Sequence, residues 1–304
     1  MKIHKLTLVS SMALILASHY AHAQGCSDAG FCTIDSFKPH EMDSIKIENK
    51  QIKIGAFVGK ADRNILVYGS YLEYNHQINT SLGFDAKLSS LAQQGNGLVV
   101  YDFSDILLNA NYQASQNLKF TLGAKLPLTQ ANKSQTELSL PMDYQASLGT
   151  VDLVLGMAYG INKIQLVAAI QQPITQNNNQ FVSTLHAENS TLSGFQSTRK
   201  FQRSGDVLLR VSYPFQLNQK LKLTPSLLPI YHLKNDKYTD ETNIQREIQG
   251  SQGLTLNANA YFDYELSKQH AIQLNLGMPL LVRKNRPDGL TRSVIANIEY
   301  RMRF

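Results

Sequence analysis

From Leu290 to the last residue, apolar and polar side chains alternate. The even positions read Leu290, Arg292, Val294, Ala296, Ile298, Tyr300, Met302 and Phe304; the odd ones read Thr291, Ser293, Ile295, Asn297, Glu299, Arg301 and Arg303. Only Arg292 and Ile295 break the pattern. A period of two sustained this long specifies an extended strand with one greasy and one wet side. A helix would repeat its faces every three to four residues instead.

The same alternation recurs upstream. Ile272, Leu274, Leu276, Met278 and Leu280 oppose Gln273, Asn275 and Gly277, and Val207, Leu209, Val211, Tyr213 and Phe215 oppose Asp206, Arg210 and Ser212. Leu118, Phe120, Leu122, Ala124 and Leu126 oppose Lys119, Thr121 and Lys125. A water-soluble sandwich can alternate too, but its inner face does not take Lys, Arg, Asp and Glu this often. The polar face is therefore expected to line a water-filled lumen, with the apolar face turned to lipid. Beyond the first residues nothing is long and apolar enough for a spanning helix, so a membrane fold here has to be a closed barrel.

Strands are predicted at 51–60, 64–76, 78–90, 98–112, 118–128, 150–161, 163–173, 206–216, 220–233, 253–266, 270–282 and 290–304. The fold class is all-β: a closed antiparallel transmembrane β-barrel of about 12 strands, with 10 to 14 compatible with the poor alternation before Leu98. An even count puts both termini on one side, expected to be periplasmic. Short turns fall on that side, around Asn75–Gln77, Gln113–Asn117, Asn162, Leu217–Gln219 and Ser267–Gln269. The long connections 129–149, 174–205 and 234–252 fall on the other, as in bacterial barrels.

Three strand openings repeat: DILLNANY (Asp105 to Tyr112), DLVLGMAY (Asp152 to Tyr159) and DVLLRVSY (Asp206 to Tyr213). Asp and Tyr are seven residues apart, so they lie on opposite faces. Tyr112, Tyr159 and Tyr213, with Tyr264 and Phe304, are expected to form an interfacial aromatic girdle. Asp105, Asp152 and Asp206 then face inward near the mouth. They could form a charge-selecting site, or pair structurally with basic groups across the wall; the candidate members of such a lumen network are Lys125, Arg210, Glu265, Glu299 and Arg301. The structural pairing is the favoured reading, because charged ladders are common devices in barrels.

At the other end of the chain, Lys2 and Lys5 precede the apolar run Leu6 to Ala17, and Ala21-His22-Ala23 gives the small-x-small pattern of a cleavage site. Residues 1–23 read as a secretory signal peptide. Residues 24–50 read as a polar periplasmic leader or a small lumen plug, and 51–304 as the barrel. Cys26 and Cys32, the only cysteines, read as a local disulfide in an exported chain, with lipidation of Cys26 as the alternative. Two thiols alone make a poor metal site.

Several functions are disfavoured. The formal charge of +6 falls to +4 once Lys2 and Lys5 leave, with no basic run, so nucleic acid is not an expected partner. There is no G-x-S-x-G, H-E-x-x-H, P-loop or Gly-rich dinucleotide turn, and His40, His76, His186, His232 and His270 are scattered. No enzyme activity and no cofactor are expected.

Gly25 to Thr33 (GCSDAGFCT), strand openings of the kind DILL, VDLVLG and GDVLLRV, and the hairpin arm NLKFTLGAKLP (Asn117 to Pro127) together resemble a known group. These are the outer-membrane barrels associated with meta-pathway phenol degradation, distant relatives of the long-chain fatty acid transporters. The resemblance covers most of residues 98–304. It implies passive passage of small hydrophobic or aromatic compounds across the outer membrane. Ending on Phe304 also resembles the terminal signature read by barrel-insertion machinery. Fatty acid transporters usually have about fourteen strands and an N-terminal hatch, which twelve strands put in question. A rival expectation is a structural or surface-interaction barrel with a closed lumen, working through its loops.

Overall fold

The computed structural model describes residues 33–39, 49–135, 137–289 and 293–304. Twelve long strands follow in chain order: β1 Lys50–Lys60, β2 Leu66–Gln77, β3 Leu82–Gly95, β4 Leu98–Ser115, β5 Leu118–Pro127, β6 Asp152–Ile161, β7 Ile164–Pro173, β8 Asp206–Ser212, β9 Leu221–His232, β10 Gly253–Glu265, β11 His270–Leu281 and β12 Val294–Arg303. After Tyr213–Pro214, β8 resumes briefly as Phe215–Gln216. Each strand pairs antiparallel with its sequence neighbour, and β1 pairs with β12 from Gln51↔Arg303 to Lys60↔Val294. The sheet is a closed, twelve-stranded barrel. The signal-peptide and Cys26–Cys32 expectations lie outside the described residues.

The wall turns its apolar side outward. Ile54 is 58% exposed, Leu122 54%, Leu209 50% and Ile298 54%, while their neighbours Lys53, Thr121, Arg210 and Glu299 are buried. Such residues circle all twelve strands, far beyond the few hundred Å² of apolar patch a water-soluble monomer shows. That band fits a hydrocarbon surrounding. At the end carrying the termini, Tyr112, Tyr159, Tyr213, Tyr264 and Phe304 are all exposed. A sparser aromatic set, Tyr68, Tyr101, Phe103 and Tyr231, is exposed near the opposite rim.

Several boundaries differ from the sequence expectation, those of β3 the most. The turn expected around Asn75–Gln77 lies at 78–81, so β3 runs Leu82–Gly95 rather than 78–90. Asn96 and Gly97, with φ of 53° and 77°, close the β3–β4 hairpin with the left-handed pair that such two-residue turns need. Register also slips between the pairs Leu88↔Ile106 and Ser90↔Phe103. Above this bulge β4 buries Val100 and exposes Val99, Tyr101 and Phe103; below it β4 buries Leu107 and Asn109. The inward parity of one strand thus changes midway, which no uniform alternation reveals.

The interior corrects the expectation of a water-filled lumen. Residues 33–39 lie inside the wall, with Ile34, Phe37 and Pro39 buried. Long loops fold in from the opposite end and bury Met142, Tyr144, Phe181, Phe195 and Phe201. One apolar cluster joins Ile34 and Phe37 to Val154, Val167, Leu208, Leu228 and Ile230; a second packs Tyr144 and Phe181 over Ile65, Val67 and Leu91. Asn179 pins one loop to another, its Nδ2 donating to the Ala131 and Leu140 carbonyls at 2.8 and 3.1 Å. Polar wall faces do not force an open channel, because inserted chain can satisfy them.

One seam is weaker than the others. In β9, Pro225 and Pro229 have no N–H, and Tyr213 N donates to the Pro225 carbonyl, so both prolines direct their missing donors at β8. The β8–β9 ladder accordingly skips Leu209 and Arg210 opposite Leu228 and Pro229. Each missing bond is worth about 1 kcal/mol. We expect amide exchange in folded, micelle-bound protein to run roughly ten times faster for β8 and β9 amides flanking this gap than for those of the β1–β12 seam. Equal protection of the two seams would contradict this.

Candidate functional site: the filled lumen

The inserted segment is held by side chains. Its backbone–backbone hydrogen bonds, among the described residues, are internal: Phe37 N and Lys38 N to the Ile34 carbonyl, and Lys38 N to Asp35. Phe37 lies over Gly156, where a Cβ would come within 2.4 Å of its ring, so the absence of a side chain there makes the seat. Arg210 donates to the Phe37 carbonyl. Lys38 Nζ meets Glu299 Oε2 at 2.8 Å, and Tyr71 donates its hydroxyl to the same oxygen at 2.6 Å. Lys53, directly opposite Glu73 in the β1–β2 register, binds Glu73 Oε1 at 2.9 Å and also Asp35. Arg301 bridges Glu299 and Asp263 at 2.6 and 2.9 Å. Segment and wall therefore share one network of alternating charge, along β12, β1 and β2.

This arrangement has a definite energetic character. Bringing such charges out of water costs several kcal/mol each, and the pairing offsets that cost only while every partner is present. The network specifies where the segment sits more than it stabilises the barrel. Gly55 belongs to the same fit: a Cβ there would fall 2.2 Å from the Tyr71 ring.

Above the segment is a cavity of about 90 Å³, bordered by Lys38, Lys87, Arg210, Asp105, Tyr71 and Tyr261 among others. Lys87 Nζ donates to Thr33 Oγ1 at 3.0 Å and lies 4.1 Å from the Tyr71 ring centroid. Arg210 lies 5.9 Å from the Tyr261 ring.

A second charged cluster closes the mouth. His232 is flanked by Asp206 at 2.7 Å from Nδ1 and Asp236 at 2.8 Å from Nε2. Arg203 pairs with Asp206, and Arg283 pairs with Asp288 and approaches Asp236 at 3.7 Å. Three loops are tied to β8 and β9 in this way. Burial alone would raise the Asp288 carboxyl, but the Arg283 and Arg203 guanidiniums hold it below its ordinary range. Its contacts are at full strength above the usual carboxylate titration and are lost as pH falls through the depressed value.

The three aspartates singled out in sequence have different surroundings. Asp152 is buried and meets Lys125, its register partner on β5, at 2.9 Å. Asp206 belongs to the mouth cluster. Asp105 is half-buried at the cavity edge, accepting from Ser147 Oγ at 2.6 Å and Ser104 Oγ at 2.9 Å. Of the other network candidates, Lys125 reaches one of these three. Arg210 turns to Phe37, Glu265 meets Arg303 at 2.9 Å, and Glu299 and Arg301 serve the segment network. The reason is register: Glu265, Glu299 and Arg301 lie near the termini end of their strands, the aspartates near the other. The sequence reading missed Lys53, Glu73, Asp85 and Lys87, whose odd-numbered inward parity on β1 to β3 was there to read. It also missed Asp35 and Lys38 in the leader, and Arg203, Asp236, Arg283 and Asp288 in loops, where no periodicity exists to mark them.

Register, closure and apolar exterior define the class: a transmembrane barrel of the outer-membrane type. No protein-family model matches the chain, and neither does any curated protein. Solved structures similar to it include the NanC porin, at 8% identity over 84% of this chain and 98% of that one, with a TM-score of 0.45. The translocator domain of the Neisseria meningitidis autotransporter NalP has 10% identity over 86% and 91%, with a TM-score of 0.45. The Pseudomonas putida toluene transporter TodX has 9% identity over 88% and 89%, with a TM-score of 0.40. The class rests on the hydrogen-bonded closure and the exterior, not on these likenesses.

The Lys125–Asp152 pair is testable. Lys125→Met or Asp152→Leu alone strands a buried charge and should cost roughly 3–5 kcal/mol of stability. The double variant should recover most of that loss in denaturant unfolding from micelles. Additive losses would show that the two side chains do not act as a pair.

Proposed function

We propose that this barrel is a passive outer-membrane channel for small solutes with hydrophobic or aromatic bodies, its termini in the periplasm, and that residues 33–39 are its plug. One observation carries the reading. The segment across the lumen is held by side chains and by one aromatic seat, and it adds no strand to the wall, so it can leave without breaking the barrel ladder. Phe57, Leu107, Leu148 and Ile295 give the cavity beside it an apolar side, which suits the proposed solute class. The closed-lumen alternative draws on the tight filling of the interior by loops and segment.

Conductance in planar bilayers separates the two. Phe37→Ala empties the seat, and Gly156→Val fills it from the wall side, since a Cβ there collides with the ring. Both should raise the open probability or conductance severalfold over the parent while the protein remains folded and SDS-resistant. If neither they nor a chain lacking residues 33–39 conducts more than the parent, the lumen is closed for good and the barrel works through its surface.

A further inference from the structure

The charged cluster at the mouth contains one group that can act as a switch. His232 ends β9 and is 1% exposed, with Asp206 at 2.7 Å from Nδ1 and Asp236 at 2.8 Å from Nε2. A neutral imidazole carries a single N–H, so it satisfies one of these carboxylates and sets a ring lone pair against the other. The doubly protonated ring donates to both. Charge points the same way: among the described residues, three carboxylates (Asp206, Asp236 and Asp288) meet two guanidiniums (Arg203 and Arg283). A protonated His232 completes that balance. Asp152, the next acid along the wall, is already paired with Lys125.

The cluster ties three connections together. Arg203 belongs to 174–205, Asp236 to 234–252, and Arg283 and Asp288 to the stretch between β11 and β12. Asp236 Oδ1 accepts from Ser204 N at 3.0 Å, and Asp236 N donates to Ser251 Oγ at 2.7 Å. Arg283 Nη1 donates to the Ser251 carbonyl at 2.8 Å. The first two connections also carry Phe181, Phe195, Phe201 and Ile248 into the interior.

We infer that this cluster is a proton-operated latch: protonated His232 keeps the three connections folded over the mouth, and its deprotonation releases them. Closure takes up a proton at His232. It is therefore at full strength while the ring is doubly protonated and weakens as pH rises through the ring's titration. Asp143, in the 129–149 connection, has to be separated from this effect. Burial pushes its carboxyl up to about 7, with Arg63, Asp62 and Asp288 nearby. Its charging also opposes closure as pH rises. The latch adds regulation to the proposed channel, and it rests on that reading for its consequence, an outer mouth that opens in an alkaline medium.

The latch can be followed without transport. Hydrogen exchange is measured on full-length protein in micelles from about pH 6 to about pH 9, across and above the ordinary imidazole range, and corrected for its intrinsic pH dependence. Protection of the Ser204, Asp236 and Ile248 amides should fall at least about tenfold, as for the loss of one hydrogen bond to a charged group. The β1–β12 amides should keep theirs. Asp206→Asn should stay protected throughout, because the new amide can donate to Nδ1 while Nε2–H serves Asp236. Asp143→Asn should retain the parent's pH dependence. His232→Gln should be poorly protected at every pH; if it fails to fold, Asp206→Asn decides alone. Flat protection in the parent, loosening of Asp206→Asn like the parent, or loss of the pH dependence in Asp143→Asn each overturns the inference. In planar bilayers the parent's conductance should rise severalfold over the same range. Conductance with flat protection would leave the channel reading intact and remove the latch. Loops that loosen over a barrel that never conducts would overturn the channel reading alone.

Discussion

Backbone hydrogen bonding in hydrocarbon is the constraint on which the rest depends. No lipid can take the place of water for an exposed N–H or C=O, so a sheet at that depth has to close on itself. Here the last strand returns to the first over ten register pairs, from Gln51↔Arg303 to Lys60↔Val294. Closure then fixes everything about the side chains. With no edge strand to cover, each residue faces either lipid or lumen, and alternation follows wherever the ladder is regular. The prolines of β9 show the limit of tolerance: two ladder bonds are given up on one seam, and the ten-pair closure seam carries none of that loss.

The lumen answers a different problem. Alternation delivers Lys53, Glu73, Asp85, Lys87, Asp263, Glu299 and Arg301 to an interior too narrow to leave them all in bulk water. They are satisfied by one another and by inserted chain, with Asp35 and Lys38 supplying one acid and one base to the wall's own alternation. Such a network adds little net stability, because desolvation consumes most of the Coulomb gain. Its contribution is position. Phe37 reaches the Gly156 seat because Lys38 and Asp35 are tethered on either side of it. Phe37 and Ile34 supply the apolar contact, and the ions supply the address.

Much of this was legible in the sequence, and the failures have identifiable causes. The strands from Leu118 onward read well where they present a clean period of two, as in Leu118 to Leu126 or Leu290 to Phe304. The turn at Asn162 read well because a left-handed Asn, with φ of 54°, closes it. The β3 boundary failed because Phe84, Ala86 and Leu88 continue an alternation already begun in β2, leaving no turn signal stronger than Asn79. The bulge at Ser104–Asp105 has no glycine or proline beside it to mark it. Asp152 pairs with Lys125, which has the inward parity of the neighbouring strand. Asp206 could not be matched to Arg203, His232 and Asp236 in advance, because two of those three come from loops. The sequence left residues 24–50 as a leader or a plug: polarity of a wall says that something polar must face it, and chain serves as well as water.

The central claim is the assignment of faces: even positions of β5 to lipid, odd positions to the lumen. The protein contains no tryptophan, so single tryptophans report cleanly. Leu122→Trp and Thr121→Trp are neighbours on one strand, 54% and 4% exposed in the parent. In proteoliposomes made with bromine-labelled acyl chains, the indole at 122 should be strongly quenched and the one at 121 scarcely at all. Equal quenching of the two, or quenching of neither in a folded protein, would contradict the barrel described here.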